Sequence, residues 1–153
     1  MRIAEFLREE LVIPELLAND KAGVLGELCA GLARVYPNLN VQRLVEVLVE
    51  REKLGSTGIG EGVAIPHGKL PGIPGLIGAF ARKRGGVEFA AIDGKPTYLF
   101  FVLFAPENSA GVHLKALARI SRLFRQPQLR KSILDAPDAA GIFRLISEED
   151  SKY

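Results

Sequence analysis

The sequence predicts a single layered α/β domain, and three observations carry that prediction. Apolar residues recur at helical spacing on both sides of a central segment. Inside that segment the period becomes strand-like, with Tyr98 to Ala105 a continuous apolar run suited to a buried central strand. A length of 153 residues, 48% hydrophobic and 25% charged, is that of one globular domain with a sizeable core. Helices, then strands, then helices around one apolar sheet imply layers.

The elements follow in order. Residues 2–8 fit a short helical turn and Leu11 to Ile13 a brief strand ahead of Pro14. From Lys21 to Tyr36, Val24, Leu25, Leu28, Cys29, Leu32 and Val35 form one apolar helical stripe, with Asn19 or Asp20 as its cap. Pro37-Asn38 interrupts the pattern. A second stripe, Val41, Leu44, Val45, Leu48 and Val49, runs into Arg51 and Lys53 and stops at Gly55, a helix-stop signature of basic last turn and glycine. Val63 to Ile65 and Leu76 to Arg82 read as strands, separated by turn chemistry at Pro71-Gly72-Ile73-Pro74-Gly75, Gly85-Gly86 and Asp93-Gly94. Helical spacing returns from Gly111 at Leu114, Leu117, Ala118, Ile120, Leu123 and Phe124, with Asn108 or Ser109 as cap, and Pro127 ends or restarts that helix. A last helix over Ala139 to Glu149 leaves 150–153 as the frayed end of a single 1–153 domain.

Composition narrows the function. A formal charge of +2 is too small to indicate nucleic-acid binding by itself. The single cysteine, Cys29, lies among apolar helix residues and supports neither a disulfide framework nor a Cys-based metal site, which fits a reducing cytoplasm. No run of about eighteen uncharged apolar residues exists, and the N-terminus turns acidic too soon for a signal peptide, so a soluble cytoplasmic chain without membrane insertion is expected.

The chemistry concentrates between Gly55 and Gly68, where five glycines, two hydroxyls, a carboxylate and a histidine share fourteen residues. Glycines let backbone N–H groups approach a ligand closely. His67 follows Pro66, which holds the backbone extended, and precedes Gly68, so its imidazole suits a cleft as well as a bond to a nearby carbonyl. His113, the other histidine, falls in the first turn of its helix, where the dipole favours an anion and a neutral imidazole. It is either a phosphate-oxygen donor or a partly exposed residue without a role. Arg51 either clamps a phosphoryl group with its planar fork or complements its helix terminus. Ser56 and Thr57 either bond phosphate oxygens or shape a turn, and Glu61 either orients an imidazole or is a solvated loop charge.

Other chemistries lose support on spacing. The run from Gly58 to Gly62 lacks the dinucleotide fingerprint, Gly68-Lys69 is followed by Leu70 where a P-loop requires Ser or Thr, and no G-x-S-x-G elbow is present. His67, His113 and Glu61 have the residue types of a zinc site without its spacing. Lys115, Arg119 and Arg122 form a basic stripe and Arg82-Lys83-Arg84 a second cluster, read as solvated faces with partner docking as the alternative.

Together, Arg51-Glu52-Lys53-Leu54, Gly55-Ser56-Thr57-Gly58-Ile59-Gly60, Gly62-Val63-Ala64-Ile65-Pro66-His67-Gly68 and Gly111-Val112-His113-Leu114-Lys115-Ala116-Leu117-Ala118 resemble the signature of the enzyme IIA domains of the fructose/mannitol class, in the bacterial phosphoenolpyruvate-dependent phosphotransferase system. The resemblance covers essentially the whole chain. It implies a mixed β-sheet flanked by helices on both faces. It implies a phosphotransferase in which His67 accepts a phosphoryl group from an HPr-like histidine phosphocarrier, with Arg51 and His113 lining the site, Glu61 matching a carboxylate of the mannitol type, and no cofactor. The free-standing domain and the Arg-Glu-x-x-Gly-Ser-Thr-Gly-Ile-Gly wording look most like the nitrogen-regulatory branch, while Glu61 departs from the asparagine more often expected there.

The partners this implies are the carrier and a downstream regulator, transporter or sugar permease component. Two alternatives stand beside the nitrogen-regulatory reading: a sugar-specific component feeding a permease, and a regulatory binding protein that keeps the phosphate cleft without transferring. Monomer and homodimer are both open.

Overall fold

The computed structural model describes residues 1–152. Two 3₁₀ turns, Ile3–Glu5 and Glu9–Leu11, lead into β1 (Val12–Ile13). The helices α1 (Lys21–Val35) and α2 (Val41–Glu52) come next, then β2 (Gly58–Gly60), β3 (Val63–Ala64), β4 (His67–Leu70), β5 (Ile77–Val87) and β6 (Thr97–Pro106). The chain closes with α3 (Ala110–Phe124), α4 (Pro127–Asp135) and α5 (Ala139–Asp150). Short polar side chains set several helix starts by accepting an otherwise unpaired N–H: Asp20 from Gly23 at 2.8 Å, Asn40 from Arg43 at 3.1 Å and Asp138 from Gly141 at 2.8 Å. Pro127 occupies the first position of α4, where its missing N–H costs nothing. Tyr153, part of the end expected to fray, lies outside the described residues.

The sheet is mixed. β1 runs parallel to β5, β5 antiparallel to β6, β6 parallel to both β3 and β4, and β2 antiparallel to β3. The central strand β6 is buried almost end to end, as a continuous apolar run predicts, because both sheet faces are covered. On one face Phe80 and Phe101 sit opposite each other, and Phe124 of α3 stacks on Phe80 at 5.5 Å. Phe104, three residues on from Phe101 and therefore on the other face, lies under α2, while Phe100, on that same face, meets Phe89 at 5.4 Å.

Two expectations about charge are corrected by burial. Arg82 is 1% exposed: it donates to the carbonyls of Pro14, Ile133 and Ala136 at 2.7–2.8 Å, closing the C-terminus of α4. Lys83 and Arg84 also donate to carbonyls, of Leu16, Leu134 and Ala136, so the Arg82-Lys83-Arg84 run is stitching between elements. Asp150, expected at the fraying end, is 2% exposed and ends α5. It accepts from the Ile3 amide at 2.7 Å and from Arg119 at 2.6 Å, tying the first turn of the chain to its last helix and removing Arg119 from the solvated stripe.

Candidate functional site

The site is built on a strand the sequence disguises. β3 and β4 are one track along the edge of β6, with Val63 opposite Leu99, Ala64 opposite Phe100 and His67 opposite Leu103 in unbroken register. Ile65-Pro66 interrupts the ladder because proline has no N–H to give, yet the Pro66 carbonyl still accepts from Leu103 at 2.9 Å and Ile65 donates to Thr57 at 3.0 Å. His67 therefore projects from a fixed strand, not from a loop. Gly68 brings α2 over that strand: a Cβ there would stand 2.2 Å from Cγ1 of Val47, a β-branched side chain held stiffly in its helix. The close approach carries Arg51, one turn further along α2, to the imidazole. Gly68→Ala is expected to cost about 1–3 kcal/mol of stability, as overpacking does, and to move Arg51 off His67; an unchanged urea midpoint would mean the helix yields freely.

Around His67 each ring nitrogen has a defined role. Nδ1 lies 2.8 Å from the Ile65 carbonyl, which can only accept, so Nδ1 carries the proton and Nε2 the lone pair. That lone pair accepts from Nε of Arg51 at 3.3 Å, while Nη1 of Arg51 donates to the Gly55 carbonyl at 2.8 Å. The His113 ring stands edge-on, its centroid 5.5 Å from that of His67, and its buried Nε2 has no partner among the described residues. His113 is only 7% exposed, unlike the partly exposed residue weighed above. The cleft holding these groups has a volume of about 520 Å³, and Leu54, Glu50 and Lys69 lie on its rim. A larger hollow of about 630 Å³ between the α1–α2 and β4–β5 connections has no charged lining residue, so chemistry and not size marks the site.

Both imidazoles are held below their ordinary value of 6.5. For His67 burial is the main cause, with the Arg51 charge adding to it against opposing contributions from the Ile65 carbonyl and Glu52. For His113 burial again leads, followed by His67 and Lys69. Both rings are therefore neutral at pH 7. The unfolded chain binds these protons more readily than the folded one, so the stability linked to them is complete above pH 6.5 and lost as pH falls through the lower folded values. Imidazole proton shifts followed by NMR should give both midpoints below 6.5; a midpoint at or above it would contradict this electrostatic picture.

The other candidates are placed differently. Ser56 Oγ donates to the Phe89 carbonyl and accepts from the Gly58 amide, both at 3.0 Å, and Thr57 is 3% exposed with its hydroxyl and its amide both on Glu52. Both hydroxyls shape the loop instead of facing the cleft. Glu61 occupies the β2–β3 turn at φ 59°, its side chain 73% exposed and paired at 3.4 Å with Arg130, so His67, His113 and Glu61 are not brought together. The carboxylate the sequence reading passed over is Glu52, 8% exposed and bonded at 2.8 Å to Lys21, whose ammonium lies over the Phe89 ring at 4.6 Å. Its adjacency to Arg51 was the available signal. Glu52 pins the loop whose Gly55 carbonyl aims Arg51.

A histidine whose Nε2 holds the lone pair, an arginine on that nitrogen and a second neutral histidine share one cleft, and comparison with known proteins gives the family of the chain. The family described as "Phosphoenolpyruvate-dependent sugar phosphotransferase system, EIIA 2" matches residues 5–149. The chain belongs to this EIIA family. A nitrogen regulatory protein of Bradyrhizobium diazoefficiens is 42% identical over 147 residues, 96% of this chain and 95% of that one. A fructose-specific EIIABC component of Bacillus subtilis is 33% identical over 98% of this chain but only 24% of its own length. Among solved structures, the IIA-Ntr protein of Neisseria meningitidis superposes with a TM-score of 0.88 at 38% identity, covering 94% of this chain and 98% of that one. The mixed sheet and helices described above are thus those of an EIIA domain, and the two nitrogen-regulatory proteins named here, at 42% and 38%, match it better than the sugar-specific one at 33%. No helix among the described residues is long and apolar enough to cross a membrane.

Proposed function

We propose that this EIIA protein is a phosphocarrier of the nitrogen-regulatory type, taking a phosphoryl group onto Nε2 of His67 from an HPr-like phosphohistidine protein. The observation that carries this reading is the bond from Nδ1 of His67 to the Ile65 carbonyl, which leaves Nε2 as the nucleophile. Nε2 attacks the donor phosphorus in line; the new N–P bond forms as the donor's breaks, and that electron pair returns to the donor ring, which leaves as neutral imidazole when its other nitrogen carries a proton. On His67 the ring becomes an N-phosphorylated imidazolium whose Nδ1–H stays on the Ile65 carbonyl. Donor and acceptor are chemically alike, so no general base is required, and the work of the site is positioning and charge stabilisation.

Arg51 and His113 supply that stabilisation. The guanidinium turns from Nε2 to the equatorial oxygens, and the unpartnered Nε2 of His113 acquires a phosphate oxygen as its partner. The positive end of α3, whose first turn contains His113, favours the same charge. The 42% and 38% identities to nitrogen regulatory proteins support a regulatory output through a downstream protein. Intact mass at alkaline pH, after incubation with phosphoenolpyruvate, enzyme I and either a sugar-type or a nitrogen-type carrier, tests the reading. One added phosphoryl group, localised to His67 by fragmentation and transferred faster from the nitrogen-type carrier, is expected. A group on another residue, or none from either carrier, would refute it.

A further inference from the structure

Lys21 and Glu52 stand where helix electrostatics opposes both of them. Lys21 is the first residue of α1, at the positive end of that helix, and Glu52 is the last of α2, at a negative end. They meet at 2.8 Å, with the Glu52 side chain 8% exposed. A buried ion pair is weak evidence for stability, since desolvation offsets its attraction. Here each charge also works against its own helix, so the role of the pair lies in what it holds.

Glu52 holds both arms of the site. Its backbone carbonyl accepts from the Gly55 amide at 3.1 Å, and the Gly55 carbonyl accepts from Nη1 of Arg51 at 2.8 Å. Its carboxylate accepts from the Thr57 amide at 3.0 Å and from the Thr57 hydroxyl. The Thr57 carbonyl in turn accepts from the Ile65 amide at 3.0 Å, and the Ile65 carbonyl takes Nδ1–H of His67 at 2.8 Å. One residue thus ties the turn that anchors the guanidinium to the segment that sets the imidazole tautomer. Lys21 secures the carboxylate from α1 and reaches the Phe89 carbonyl at 3.3 Å, which also accepts from Ser56.

We propose that Glu52 is a positioning residue for phosphoryl transfer at His67: held by Lys21, it sets Arg51 through the Gly55 turn and His67 through Thr57 and Ile65. The inference rests on the phosphocarrier reading above and adds a residue that acts through others. The Glu52 charge also reaches the imidazole and favours its cationic form, which is the form the ring takes when phosphorylated.

Transfer kinetics and NMR titration of His67 test this together. Glu52→Ala is expected to lower kcat about 10²-fold, the cost of misplacing reacting groups by about an ångström, with the KM for the carrier unchanged. Glu52→Gln, which can keep both bonds to Thr57 but not the charge, and Thr57→Val, which keeps the amide bond alone, should fall between; they carry the comparison if Glu52→Ala does not fold. In an Arg51→Ala background the loss should be smaller, because the part that acts through Arg51 is already gone. In the free protein the sign of the pKa change separates positioning from mere loop stability. Loss of the charge in Glu52→Gln lowers the His67 midpoint, whereas a loosened loop admits water to the ring and raises the midpoint towards 6.5. Asp138→Ala, which removes the N-cap bond of α5 outside the cleft, controls for lost stability and should leave kcat alone. Wild-type kcat in every folded Glu52 variant, a His67 midpoint that rises in Glu52→Gln, or a fall in kcat that Asp138→Ala reproduces overturns the inference and leaves the phosphocarrier reading intact. No labelling of wild-type His67 from any carrier removes both.

Discussion

Replacing Arg82 by methionine is expected to cost the fold about 3–5 kcal/mol, more than any other single change to a side chain outside the apolar core. Among the described residues no carboxylate bonds the buried guanidinium; Glu15 favours its charge without a bond, and its hydrogen bonds go to a set of carbonyls: Pro14 after β1, and Ile133 and Ala136 at the end of α4. The last carbonyls of a helix carry its negative end, so a cation there serves both the charge and the unpaired acceptors. Burial and the neighbouring Arg84 hold the Arg82 pKa below its ordinary value, and the group still remains charged near neutrality because an arginine does not lose its proton in that range.

Methionine keeps the apolar stem but orphans the carbonyls, at about 1–3 kcal/mol for each one left dry. Ala136 retains a bond from Arg84 at 2.8 Å, which limits the damage there. Arg82→Lys should recover part of the loss, since one ammonium cannot reproduce a planar fork. Urea unfolding at pH 7 measures this directly. A loss below about 1 kcal/mol would mean that water enters and satisfies the carbonyls.

What the sequence could and could not disclose follows from the range of each interaction. Helix stripes are local periodicities, and α1, α2, α3 and α5 lie where the spacing puts them, with Asp20 and Ser109 as N-cap residues. β6 is legible because a strand buried on both faces is apolar without interruption. β2 and β4 are not: glycines and Pro66 erase the alternation, and the strand character of His67 comes from its partner Leu103 thirty-six residues on. Arg119 with Asp150 and Arg82 with Ile133 are likewise long-range choices that no window contains. The sequence left Ser56 and Thr57 between a phosphate and the turn for a related reason. A hydroxyl in a glycine-rich loop serves a ligand or the loop equally well, and in the structure Ser56 bonds the Phe89 carbonyl while Thr57 bonds Glu52, which is held in turn by Lys21 from a different helix.

Removing the guanidinium by Arg51→Ala should slow phosphoryl transfer to His67 about 10²–10³-fold, the loss typical of one donor aimed at transition-state charge. Arg51 presents a difficulty that sharpens the prediction. In the structure its Nε donates to the nitrogen that must attack, at 3.3 Å, so the lone pair is masked until the guanidinium moves. If masking were its main effect, Arg51→Ala would speed transfer. The longer bond to Nε2, compared with 2.8 Å from Nη1 to the Gly55 carbonyl, indicates that the arginine is anchored to the loop and only rests against the imidazole. A swing about that anchor exchanges a weak neutral acceptor for phosphoryl oxygens. Arg51→Lys should restore little, because a point charge lacks the fork that can hold the loop and the phosphoryl group together.

The same substitution has a signature in the free protein. Loss of the Arg51 charge should let the His67 pKa rise, since that charge is one of the two causes that lower it. NMR titration and single-turnover transfer thus read two functions of one side chain. A slowed transfer with the expected rise supports the site as described. Faster transfer in Arg51→Ala would make the arginine a lid over Nε2 and leave His113 and the first turn of α3 as the groups that stabilise the phosphoryl charge.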